Sequence, residues 1–72
     1  MQMHDNQTLT SLDMVSINAL VESLALQNRL QRENIYYLLE AEFKVRSVMQ
    51  IKRSDLGRAV SFLVDLQNVT VH

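Results

Sequence analysis

The residues of this chain that could do chemistry are few, and they are poorly spaced for it. Nucleophilic catalysis needs a hydroxyl, thiol or amine beside a base that is itself held in place. Serines are present, but the only histidines, His4 and His72, lie near opposite ends of the 72 residues, and there is no cysteine. The same distribution leaves no thiolate or clustered imidazole for a metal site. Glu40 and Glu42 are the closest pair of carboxylates, but on a helix residues two apart point in different directions, so they read as solvated side chains. Gly57 is the single glycine and cannot form a phosphate-cradling loop. These residue types predict no enzyme, no cofactor, no metal and no small-molecule ligand.

Charge is the second possible source of chemistry. The net charge is -1, which argues against a general nucleic-acid coat. Its distribution is uneven. The first 28 residues carry Asp5, Asp13 and Glu22 and no basic residue, while Lys44, Arg46, Lys52, Arg53 and Arg58 fall within fifteen positions. Such a cluster reads either as a contact for phosphate or an acidic protein, or as a solvated edge that offsets the acidic first helix. A DNA-reading helix-turn-helix has a turn of three or four residues, shorter than Lys44–Ile51. No aromatic is interleaved with the basic residues for base stacking. Direct sequence-specific DNA binding is therefore not expected. Two alternatives stay open: a DNA-associated accessory protein using this cluster, and an antitoxin-like helical adaptor.

The elements that position these residues follow from composition and spacing. Hydrophobic residues make up 47% of the chain, proline is absent and glycine occurs once. A small β fold needs many turn residues, so an all-α fold is predicted, as one domain over residues 1–72. Thr10-Ser11-Leu12-Asp13 reads as a capping box, with Leu9 and Met14 at the spacing of a hydrophobic staple. Three helices are expected, over about residues 11–30, 33–43 and 53–66, the last with Ser54 as a possible N-cap. Residues 1–8 and 68–72 read as flexible ends, with Val69, Val71 and His72 open to a short extended tail. Neither a signal peptide nor a membrane span is evident, so a cytoplasmic protein is expected.

The first helix has an unusual pattern. At ~100° per residue, Met14, Ile17, Leu20, Val21, Leu24 and Ala25 fall on one side, and Leu12, Val15, Ala19, Leu26 and Leu30 nearly opposite. A chain this short buries only ~60% of its unfolded surface, and a core of that size supplies ~3–5 kcal/mol. With disulfides excluded, oligomerisation is the expected supplement, one stripe packing within the subunit and the other meeting a second chain. Met14, Ile17, Leu20, Val21 and Leu24 are the expected oligomer contacts, with Tyr37, Arg46 and Arg53 as further partner contacts. In the second helix Ile35, Leu39 and Phe43 form the buried face, flanked by Tyr36 and Leu38. In the third, Leu56, Ala59, Val60, Leu63 and Leu66 do so, and Gly57 is a place where another backbone could approach closely.

Ile35-Tyr36, Leu39, Phe43-Lys44-Val45-Arg46-Ser47 and Ile51-Lys52, followed by Leu56 and Ala59, resemble the C-terminal domain of temperate-phage antirepressors, the ORF6C type. Ile17-Asn18-Ala19-Leu20-Val21 is similar to that family's preceding helix, so the resemblance spans about Ile17 to Leu66. Two positions depart from the pattern: Lys44 stands where the family often has glycine, and Lys52 where it often has proline. The resemblance implies a small stand-alone antirepressor of an enterobacterial phage. Such a protein binds the phage repressor and removes it from operator DNA, promoting prophage induction.

Overall fold

The computed structural model describes the backbone of residues 7–70 and the side chains of residues 7–68. Among these the chain forms three helices: α1 (Ser11–Asn28), α2 (Arg32–Phe43) and α3 (Leu56–Thr70). α1 begins where the capping box predicts. The Asp13 N–H donates to Thr10 Oγ1 at 3.1 Å, and the Thr10 N–H donates back to Asp13 Oδ2 at 2.9 Å, so the shorter aspartate closes the box that usually takes glutamate. The helix stops at Arg29, whose backbone is left-handed (φ 56, ψ 36), with Asn28 Nδ2 donating to the Leu24 carbonyl.

α2 ends in the same way and more completely. Lys44 takes φ 57 and ψ 44, the Val45 N–H donates to the Glu40 carbonyl at 3.0 Å, and the Lys44 N–H donates to that of Ala41 at 3.3 Å. This double closure is the Schellman arrangement, in which the left-handed residue is most often glycine. A side chain there costs about 1–2 kcal/mol through its Cβ, part of which glycine's greater unfolded-state freedom offsets. Lys44→Gly is thus expected to stabilise the fold by about 0.5–1 kcal/mol, read as a rise of a few degrees in Tm. An unchanged or lower Tm would contradict this geometry.

The link from α2 to α3 is more structured than a loop. It contains two 3₁₀ turns, Val48–Gln50 and Arg53–Asp55. The Ser47 hydroxyl accepts from the Met49 N–H and so caps the first turn. Between the turns the chain pairs antiparallel with the segment before α1. Thr8 lies opposite Lys52, the Leu9 N–H donates to the Ile51 carbonyl at 2.9 Å, and the Arg53 N–H donates to that of Gln7 at 3.0 Å. Gln7 and Thr8, expected as part of a flexible end, are therefore held; residues 1–6 lie outside the described ones.

Two expectations for the third helix need correction. Ser54 does not cap it, because residues 53–55 form a 3₁₀ turn without a side-chain cap, and α3 proper starts at Leu56. The helix then continues to Thr70, past the expected end at 66, so the backbone of Val69 is helical rather than extended. Nothing in that stretch stops a helix, since neither glycine nor proline follows. Val71 and His72 lie outside the described residues. A Cβ at Gly57 would meet nothing within 4 Å, so among the described residues no backbone beyond its own helix approaches it.

The core lies among all three helices and the link. Ile17, Val21 and Leu24 from α1, Ile35 and Leu39 from α2, and Ala59 and Leu63 from α3 are buried, joined by Leu9, Val48 and Ile51. Each helix contributes at i, i+4 spacing, the inward face of an α-helix. α1 packs against both other helices, more extensively against α3.

Candidate protein-binding surface

The apolar stripes of α1 have opposite fates. Ile17 and Val21 are 0% exposed and Leu24 is 1% exposed, while Met14 and Leu20 pack against the same core. Of the five residues expected as oligomer contacts, Ile17, Val21 and Leu24 build the interior of the subunit, and Met14 and Leu20 are half-buried at its edge. The other stripe faces outward: Leu12 is 78% exposed, Val15 62% and Leu26 80%, with Ala19 exposed between them. Leu30 does not continue this stripe. The left-handed Arg29 turns the chain, and Leu30 packs on the core.

The outer stripe is flanked by polar contacts that tie α1 to α2. Glu22 pairs with Arg32, and the Tyr36 hydroxyl donates to Asn18 Oδ1. Glu22 beside it holds the Arg32 guanidinium above its ordinary pKa. Partial burial, with Glu22 adding to it, pushes the Tyr36 phenol up. These side chains and Glu33 line an open groove of about 370 Å³. Four of its five lining groups already pair with one another, Glu22 with Arg32 and Tyr36 with Asn18.

Two of the five residues of the basic cluster are engaged in structure. Arg53 Nε lies 3.0 Å from Asp13 Oδ2, joining the start of α3 to the capping box of α1. Asp13 is 8% exposed. Its carboxyl is held below its ordinary value of 3.8, chiefly by the Thr10 backbone N–H and further by Arg53, against the opposing effect of burial. Arg58 lies over the Phe43 ring, 5.1 Å from its centroid, and its Nη1 reaches Asp55 Oδ1 at 3.4 Å. Lys44, Arg46 and Lys52 remain without an ion pair among the described residues.

The eight sequence-predicted contacts therefore do not form one surface. Ile17, Val21 and Leu24 are buried, Met14 and Leu20 are half-buried against the core, and Arg53 is half-exposed against Asp13. Tyr37, 69% exposed on α2, and Arg46 in the link are free to meet a partner. Leu38, expected beside the buried face of α2, is 42% exposed, and Met49 is 47% exposed. Of the outward residues, Leu12, Val15, Ala19 and Leu26 were visible in the sequence as a second stripe. Leu38 and Met49 carried no such signal.

Among the described residues no three His, Cys, Asp or Glu side chains are grouped to hold a metal ion, and no helix is long and apolar enough to cross a membrane. Comparison with protein-family models, with curated proteins and with solved structures returned no match.

Proposed function

We propose that this chain is a phage antirepressor: a small helical protein that binds the phage repressor, draws it from operator DNA and so promotes prophage induction. The observation that carries the reading is the backbone at the two positions that depart from the antirepressor pattern. Lys44, where that family often has glycine, is left-handed at φ 57. Lys52, where it often has proline, has φ -69 and ψ 144, and its N–H makes no hydrogen bond among the described residues. Ile51 before it lies at φ -65 and ψ 138, the extended region a following proline demands. Glycine and proline thus fit this backbone at the two places where the sequence lacks them.

The mechanism is a shift in a binding equilibrium. A repressor is removed from its operator only by a partner with higher affinity for the DNA-free arrangement than for the bound one. Moving it from almost fully bound to almost fully free requires a preference of about 10⁴-fold. Exposed Tyr37, Leu38 and Met49, with Lys44, Arg46 and Lys52 that have no ion pair among the described residues, offer the mixture of apolar and basic contacts for an acidic-rimmed protein surface. The reading includes self-association and places the protein in the bacterial cytoplasm, where its repressor works.

Light-scattering chromatography tests the binding step. The chain mixed with the repressor encoded beside its gene is expected to co-elute at the summed mass. Separate elution at micromolar concentrations would contradict the proposal.

A further inference from the structure

We propose that the hollow between the end of α2 and the link to α3 docks a peptide segment of a partner protein, one bulky apolar side chain entering it beside an acidic residue. This deepens the proposed function, on which it rests for the partner's being a protein; the chemistry comes from the hollow itself. Phe43, Val45, Gln50, Ile51, Lys52 and Asp55 line it. Its volume is about 150 Å³, the size that takes one benzene-sized group.

The hollow has a backbone origin. Left-handed Lys44 reverses the chain after Phe43, and Gln50 closes the reversal, its Oε1 accepting from the Arg46 N–H at 3.1 Å. Phe43 and Val45 are half-buried and pack on the core, and Ile51 is 1% exposed, so the apolar part of the lining is held in place. Arg58 lies over the Phe43 ring and pairs with Asp55, the one carboxylate in the lining.

The polar part of the lining selects an anion beside the anchor. With Asp55 matched by Arg58, the remaining charge is Lys52, whose ammonium has no ion pair or hydrogen bond among the described residues. Gln50 Oε1 is taken by Arg46, which leaves the amide N–H groups of Gln50 without an acceptor among the described residues. Lys44 and Arg46 flank Val45 in the chain and have no ion pair there either. Glu42, next to Phe43, lines a separate groove with Gly57, Ser61 and Asp65. Donors and positive charge thus surround an apolar hollow, complementary to a carboxylate next to an apolar side chain. A phosphate backbone would engage the cations alone and bring no apolar group to fill the hollow.

Amide NMR signals of the isotope-labelled chain, titrated with short capped peptides, test the site. One peptide carries phenylalanine between two aspartates, another alanine between two aspartates, and a third phenylalanine between two lysines. A single anchor with its rim contacts gives a dissociation constant on the order of 1 mM. The first peptide should shift the signals of Val45, Ile51 and Lys52 saturably, and the other two should bind about 10-fold more weakly or worse. An equal response to the alanine peptide would remove the anchor, an equal response to the lysine peptide would remove the charge, and saturable shifts confined to α1 would remove the site; each overturns the proposal. Lys52→Glu, at an exposed position, should keep its helical circular dichroism and lose about 10-fold in affinity for the first peptide; unchanged affinity would overturn the role of the rim. A single-stranded oligonucleotide that shifts these signals more strongly than the first peptide would assign the hollow to a base instead. Peptide binding by a chain that leaves repressor on DNA would refute the proposed function and spare this site. Repressor release by a chain that shows no saturable peptide shift would do the reverse.

Discussion

Leu24→Ala should lose about 2–5 kcal/mol of folding stability, whereas Leu26→Ala, two residues further along the same helix, should change the monomer by less than about 0.5 kcal/mol. Leu24 is 1% exposed among Ile17, Val21 and the side chains of α2 and α3, so truncation removes its burial and leaves a cavity. Leu26 is 80% exposed, and at low concentration its removal changes little beyond solvent contact. For a chain of 72 residues the first loss is comparable with the whole stability such a core supplies, about 3–5 kcal/mol. Leu24→Ala is therefore expected to be largely unfolded at 25 °C by circular dichroism. Urea denaturation measured at nanomolar to low-micromolar protein checks both variants. Equal losses would mean that α1 does not divide into an inner and an outer face.

The second large effect concerns the clasp that starts α1. Thr10→Ala removes the acceptor of the Asp13 N–H and should cost about 0.5–2 kcal/mol. Asp13 does more than cap, because its Oδ2 also receives Arg53 Nε from the far side of the link. Since its carboxyl is depressed in the fold, folding favours the ionised form. The contribution is fully present above the ordinary carboxylate value and is lost as pH falls through the depressed one. The wild-type Tm should thus fall on acidification through that window, and Asp13→Asn should start lower and show a flatter acid limb. Thermal scans between pH 2 and 6 measure it; parallel curves for the two proteins would refute the clasp.

Local features were the legible ones. The capping box at Thr10 and Asp13 lies within four consecutive residues and needs no tertiary information. The doubled stripe of α1 was equally plain, but periodicity alone does not say which side faces inward. The choice was made by α3 and α2, which cover Ile17, Val21 and Leu24. Projection as far as Leu30 failed for a backbone reason: Arg29 adopts the left-handed region without the glycine that usually announces it. Ser54 misled similarly, since a serine before an acidic residue looks the same whether a helix or a 3₁₀ turn follows. The Asp13–Arg53 bridge joins residues 40 apart and left no mark in either local sequence.

Lys44 and Lys52 connect that lesson to function. In the sequence they are departures from a pattern; in the fold each occupies a backbone suited to the pattern's own residue. Glycine at 44 and proline at 52 would each fit the backbone that the lysine there adopts.

Fluorescence anisotropy of labelled operator carrying a temperate-phage repressor tests whether this chain removes the repressor from DNA. Titrating in the chain should return the anisotropy to that of free operator, with no signal when the chain is added to operator alone at physiological salt. Anisotropy that stays at the repressor-bound value through saturating chain would contradict the account. A rise on operator alone that disappears with salt would instead assign the chain to DNA through its basic residues.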